Sequence, residues 1–165
     1  MVDIRRATPD DAAGIVAVLN PIIAAGVYTI LDTPFTVDEE REFIRRFPER
    51  GIFNVAVAAG DGAIAGFQLL EPLLSYTHSC DHVATIGTFV SLALRRQGIA
   101  SELFRATLAA AVEKGYEKLF TFVRADNPAA LETYVNQGFR VVGTAARHAK
   151  INGVYIDEIM IERFL

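Results

Sequence analysis

Phe89-Val90-Ser91-Leu92 running into Arg95-Arg96-Gln97-Gly98-Ile99-Ala100 is the stretch that decides how this chain folds. The first residues are mainly apolar, and a helical spacing of Ile99, Leu103, Phe104, Thr107, Leu108, Ala111 and Val112 follows. A strand therefore enters a short basic loop that opens a helix. Such a junction directs unpaired backbone N–H groups and the positive end of a helix dipole at one point, which suits a phosphate. Gly98 lets the backbone approach an anion closely, and Arg95 and Arg96 add charge-assisted donors. The plain alternative is a strand-to-helix turn with two solvated arginines. Neither G-x-x-x-x-G-K-[ST] nor a G-x-G-x-x-G after the first strand occurs.

A second stretch points the same way. Asn127-Pro128-Ala129-Ala130-Leu131-Glu132-Thr133-Tyr134-Val135-Asn136-Gln137-Gly138-Phe139 reads as a short helix. Asn127 is an N-cap, Pro128 fits the first helical position, and Gly138 suits the left-handed residue past the end. Ala130 and Tyr134 share a face at i, i+4.

Working outward, Val2–Arg6 reads as a strand and Pro9–Ala24 as a helix. Thr36-Val37-Asp38-Glu39 is a capping box opening a helix to about Phe47. Phe53–Ala59 and Ala63–Leu70 form a hairpin around Gly60-Asp61-Gly62, and Pro72 to Asp81 is a loop. His82–Leu92 is a strand, the anion loop's helix runs to about Lys114, and Lys118–Arg124 is the next strand. Phe139–Ala145 and Tyr155–Arg163 close the chain, with Ile151-Asn152-Gly153 turning between them. A hairpin followed by alternating strands and helices implies a mixed α/β sheet with helices on both faces.

The 165 residues suit one domain over 1–165, and 52% hydrophobic residues exclude a disordered chain. A net charge of −4 gives no basic footprint for nucleic acid. Cys80 is the only cysteine, which fits a reducing, cytoplasmic setting. Ala12 to Leu31 carries no charge, but Asn20-Pro21 interrupts it and Thr8-Pro9-Asp10-Asp11 is a helix start. It is read as a buried helix and loop rather than a membrane span or signal peptide.

Together the two stretches resemble the GNAT N-acetyltransferase superfamily. Arg95, Gly98 and Ala100 match its [Q/R]-x-x-G-x-[G/A] loop. Asn127, Ala130, Tyr134, Gly138 and Phe139 match its second motif. The opening segment and Ile151–Glu158 look most like the phosphinothricin and amino-acid N-acetyltransferase branch. The resemblance implies the mostly antiparallel acyl-CoA N-acyltransferase fold, with acetyl-CoA as co-substrate and no metal. It implies that the sheet splays beside Phe89, Val90 and Ser91, whose backbone pairs with the pantetheine arm. Thr85–Thr88 would hold an accompanying bulge. The N–H groups of Arg96, Gln97, Gly98, Ile99 and Ala100 cradle the pyrophosphate, with Arg95 beside them. Asn127 bonds the cofactor arm, and Tyr134 protonates the departing thiolate. The alternative for Tyr134 is a core tyrosine with a satisfied hydroxyl.

Many relatives carry a glutamate base where this chain has Thr85. A water relay, a neutral substrate amine, or a substitute such as His82 or Glu71 are the open routes. His78-Ser79-Cys80-Asp81-His82 alternates three ligand types, so it reads either as a zinc loop or as a polar loop over the substrate mouth. Tyr28, Phe35 and Tyr76 are candidates for that mouth. The expectation is an N-acetyltransferase acting on an amino-acid-like small amine by direct attack in a ternary complex. A protein N-terminal or lysine acetyltransferase and a non-catalytic acyl-CoA-binding module are the alternatives. The apolar closing strands suggest a homodimer.

Overall fold

The computed structural model describes residues 2–165. Seven strands form one sheet: β1 (Val2–Arg6), β2 (Ile52–Ala58), β3 (Ile64–Pro72), β4 (Val83–Val90), β5 (Lys118–Arg124), β6 (Arg140–Ile151) and β7 (Val154–Phe164). Their order is β1-β2-β3-β4-β5-β7-β6, and every pair is antiparallel except β4 with β5. Four α-helices accompany them: α1 (Ala12–Ala24), α2 (Val37–Arg45), α3 (Ile99–Glu113) and α4 (Pro128–Asn136). This is the mixed, mostly antiparallel sheet with helices on both faces that the sequence implies. None of these helices is long and apolar enough to cross a membrane.

Strand alternation divides the core. Phe53, Val55, Phe67 and Phe89 face α1 and α2, where Ile15, Leu19, Ile22 and Ile44 close over them. Leu70, Ala84, Ile86, Leu119 and Ile161 face the other way, against Phe104 of α3 and Tyr134 of α4. The helix starts follow their caps. Thr36 and Glu39 form the reciprocal capping box of α2, and Asn127 Oδ1 accepts from Ala130 N at 3.2 Å to start α4.

The parallel seam positions the site. β4 and β5 are paired only at Val83–Lys118 and Ala84–Leu119. Two residues further along each strand, Thr121 Oγ1 donates to Ile86 O at 2.9 Å, a side chain standing in where backbone pairing has stopped. Beyond it the two strands diverge, as the resemblance implies. The expected bulge at Thr85–Thr88 is absent: β3 and β4 stay in unbroken register from Gly66–Val90 to Pro72–Ala84. Gly87 serves there as a small residue facing Leu69, with no extra residue to accommodate. The register shifts lie at Ala56/Val57, at Val141/Gly143 and between Ala145 and Ala149.

The closing hairpin is longer than its hydrophobic pattern suggests. Asn152 and Gly153 both have positive φ, 49° and 81°, the primed two-residue turn that lets the strands run to Ile151 and Val154. Arg147, at φ 54°, and His148 fall in the bulge, which breaks the period-two pattern and hides the second half of β6.

Candidate active site

Two cavities meet at the splay. The first, about 350 Å3, is lined by Thr88, Phe89, Val90, Arg95, Arg96, Gly98, Ile99, Ala100, Asn127 and Tyr134 among others. It therefore gathers most of the residues singled out in both sequence stretches. Arg96 and Gly98 have φ of 59° and 81°, which turns successive N–H groups of the loop toward one side. Gly98 is the N-cap of α3 and offers no side-chain cap, so the first N–H groups of a 15-residue helix stay free for an anion.

Three expected donor residues are used differently. Ser91 and Gln97 do not line this cavity. Ser91 N donates to Ala65 O at 2.9 Å, extending the pairing to β3 rather than facing the gap. Asn127 is at the wall, but its side chain caps α4 and its Nδ2 donates to Tyr28 O at 3.3 Å. Arg95 stacks on the Tyr28 ring, its guanidinium carbon 3.8 Å from the centroid.

The second cavity is about 870 Å3 and lies on the α1–α2 face. Phe35, Phe43, Phe67, Leu69 and Phe89 give it apolar walls. Glu40, Glu71, Thr85, Arg124, His148 and Glu158 supply its polar groups. Tyr28 and Phe35 line it as expected of a mouth, whereas Tyr76 is 82% exposed and outside it.

Tyr134 borders both cavities. Its ring is wedged edge-on between Phe104 and Phe139, and its hydroxyl comes through the splay to Thr88 Oγ1 at 3.1 Å. Thr88 Oγ1 in turn accepts from Gln68 Nε2 at 2.8 Å. Gln68, Thr88 and Tyr134 thus form one hydrogen-bonded chain ending at the phenol, and either hydroxyl can donate in its last link. Burial holds the phenol protonated, pushing its pKa up to about 12. Gln68 is fully buried and its Oε1 has no partner, a cost of about 1–3 kcal/mol borne beside the site. The reading of the chain missed Gln68 and Thr88. The available signal was a lone amide in the apolar run Phe67-Gln68-Leu69-Leu70.

Carboxylates form the other group: Glu71 is already a candidate base in the sequence, whereas Glu40 and Glu158 carry no such signal there. Glu71 pairs across the strands with Thr85, so it presents a carboxyl beside the threonine from the neighbouring strand. Glu158 pairs with Arg124 across β5 and β7. Counting along β5 from the last backbone pairs with β4 sets it level with Phe89 on the far side of the gap. Burial raises Glu40 to about 7 and also raises Glu71 and Glu158. His148 and Arg124 pull Glu158 back down. His82 is exposed and lines neither cavity.

The His78–His82 segment does not form a ligand set. It is a turn, with Asp81 N bonded to His78 O and Val83 N to Cys80 O, so its side chains do not alternate to one side. His78 is fully exposed and bonds Asp81 through Nδ1 at 3.0 Å. Among the described residues no three His, Cys, Asp or Glu side chains are grouped to hold a metal.

Comparison with known proteins agrees with this layout. Residues 24–139 match the profile of the Acetyltransferase (GNAT) family. The chain is 24% identical over 164 residues to phosphinothricin N-acetyltransferase of Streptomyces coelicolor, covering 98% of this chain and 95% of that one. It is 28% identical over 119 residues to L-amino acid N-acetyltransferase AaaT of Escherichia coli, 72% of each chain. A crystal structure of a phosphinothricin acetyltransferase from Sinorhizobium meliloti in complex with acetyl-CoA superposes with a TM-score of 0.89. Its identity is 18%, over 99% of this chain and 88% of that one. A GNAT-family acetyltransferase from Streptococcus pneumoniae superposes at 0.87 with 26% identity, over the whole of both chains.

Proposed function

The chain belongs to the Acetyltransferase (GNAT) family, and from that premise we propose that it transfers the acetyl group of acetyl-CoA to a primary amine of a small molecule, by direct attack in a ternary complex. The observation that carries this reading is Tyr134, whose hydroxyl lies at the one wall common to a phosphate-suited groove and an apolar cavity. A donor in the first and an acceptor in the second meet at that hydroxyl. The second cavity's volume of about 870 Å3 falls in the range of small-molecule sites.

The roles follow from the chemistry. The free N–H groups of Arg96, Gly98, Ile99 and Ala100, at the start of α3, hold the pyrophosphate, with the Arg95 charge nearby. Phe89 and Val90 border the pantetheine arm along the open edge of β4. Glu158, level with Phe89 and raised by burial, accepts the proton of the incoming ammonium, directly or through one water. The amine nitrogen forms its bond to the acetyl carbon while the carbon–sulfur bond breaks. Tyr134 then gives its proton to the departing thiolate, the acylated nitrogen loses its second proton back to Tyr134, and the proton held by Glu158 passes to solvent. In sum, an ammonium and acetyl-CoA become an acetamide, free thiol and one released proton.

Titration of the protein with acetyl-CoA by calorimetry, followed by thiol release with a panel of amines, tests the proposal. Micromolar binding at one site per chain and amine-dependent thiol release are expected. Absence of binding by folded protein removes the donor assignment, and binding without amine-dependent release removes the enzymatic one.

A further inference from the structure

Carboxyls outnumber cations around the acceptor cavity, where Glu39, Glu40, Glu71 and Glu158 stand against a single arginine, Arg124, among the described residues. Glu40, from α2, is 4% exposed and has no hydrogen-bond or ion-pair partner among the described residues. Its carboxyl lines the cavity, as do those of Glu71 from β3 and Glu158 from β7. Glu158 is 3% exposed, and its nearest charged neighbour is His148 Nε2 at 3.9 Å. Four glutamates thus line one space: Glu39 is bonded to Thr36, Glu158 lies within reach of His148, and Glu40 and Glu71 have no ion-pair partner among the described residues.

The cationic side is spent. Arg124 is the only Arg or Lys among the described residues lining this cavity. Its Nε and Nη2 bond Asp126 at 2.8 and 2.7 Å, and its Nη1 bonds Gly26 O and Thr29 O, both at 2.9 Å. His148 lies flat against Phe122, ring centroids 4.9 Å apart. An α-carboxylate or phosphinate entering here finds no free guanidinium or ammonium and meets buried carboxylates instead.

We propose that the acceptor is a linear di- or polyamine: an amine with a second ammonium and no acidic group. This rests on the acetyl-transfer reading above. One nitrogen is presented at Tyr134 beside Glu158. The second is held by Glu71 and Glu40. Glu71 pairs with Thr85, three residues or about 10 Å down β4 from Thr88. The methylene chain between them lies on Phe35, Phe43 and Phe67. A desolvated carboxylate with no partner is costly, and the second ammonium supplies that partner.

Thiol release at saturating acetyl-CoA with 1,4-diaminobutane, spermidine, 1-aminobutane, L-methionine and phosphinothricin tests this. The expected result is kcat/KM for the diamine or spermidine at least tenfold above 1-aminobutane, with L-methionine and phosphinothricin lower still. Glu40→Gln and Glu71→Gln are expected to narrow the spermidine-to-monoamine ratio to about threefold, through KM for spermidine. Calorimetric titration of spermidine into the wild type loaded with coenzyme A, which cannot react, gives a second readout that needs no variant: tighter binding than 1-aminobutane is expected, and equal binding overturns the inference. Faster turnover of L-methionine or phosphinothricin than of spermidine overturns the inference and leaves the acetyltransferase standing. Equal kcat/KM for 1-aminobutane, 1,4-diaminobutane and spermidine also overturns it. No thiol release with any amine overturns both.

Discussion

Glu40→Gln isolates the cost of holding a carboxyl in the second cavity. Glu40 sits in the first turn of α2, where the helix dipole favours negative charge, yet burial outweighs the dipole and lifts its pKa from 4.5 to about 7. The folded chain therefore binds more protons than the unfolded chain between those values. The stabilisation from the neutral carboxyl is complete below pH 4.5, and it is lost as pH rises through 7. At 1.36 kcal/mol per pKa unit the ceiling is about 3 kcal/mol. Water in the cavity screens the carboxyl, so about half of that is expected, roughly 1.5 kcal/mol. Glutamine has nearly the same shape and no charge. The stability difference between Glu40→Gln and wild type should grow in favour of the variant by about that amount between pH 4.5 and 8. For a chain of this size that is roughly 3–6 °C in Tm. Denaturant unfolding of both proteins across this range, without ligands, measures it. Every other titrating group cancels in the difference. A difference that stays flat with pH refutes the buried, unpartnered carboxyl, and one that grows in favour of wild type refutes the sign.

Three further substitutions test the rest of the site. Tyr134→Phe should lower turnover about a hundredfold while acetyl-CoA affinity, read by calorimetry, is nearly kept; unchanged turnover removes Tyr134 from the acid role. Gly98→Glu should fold, because a Cβ there meets nothing within 4 Å, at a strain of about 1 kcal/mol from its φ of 81°. It should lose acetyl-CoA binding by charge repulsion at the pyrophosphate, and retained binding sinks the anion loop. Thr121→Val strands Ile86 O at the splay and should cost about 1–3 kcal/mol in denaturant unfolding; a loss below about 0.5 kcal/mol means that bond does not hold the seam.

The donor half of the site was legible because its chemistry is local. Free N–H groups, a left-handed Gly98 and a capped helix at Asn127 all follow from residues adjacent in the chain. The acceptor half was not. Glu71 acquires its place beside Thr85 only through strand register, and Glu158 acquires its place only by counting across three strands. Glu40 reads in the chain as one more acid in a helix's first turn, and only the packing of α2 over the sheet buries it. Gln68 and Thr88 lie 20 residues apart and meet as a cross-strand pair. The His78–His82 alternation left two readings open for the opposite reason. Spacing of two aligns side chains only in extended backbone, and this segment turns.

The loop that carries Tyr28 is tied down from the donor side. Asn127 holds Tyr28 O, Arg95 covers the Tyr28 ring, and Arg124 grips Gly26 O and Thr29 O. The same loop forms part of the acceptor cavity through Tyr28, Thr29, Ile30 and Leu31. The two cavities therefore share one wall, and any ligand that shifts Arg95 or Asn127 in the first shifts Tyr28 in the second; a coupling carried this way is the same in both directions.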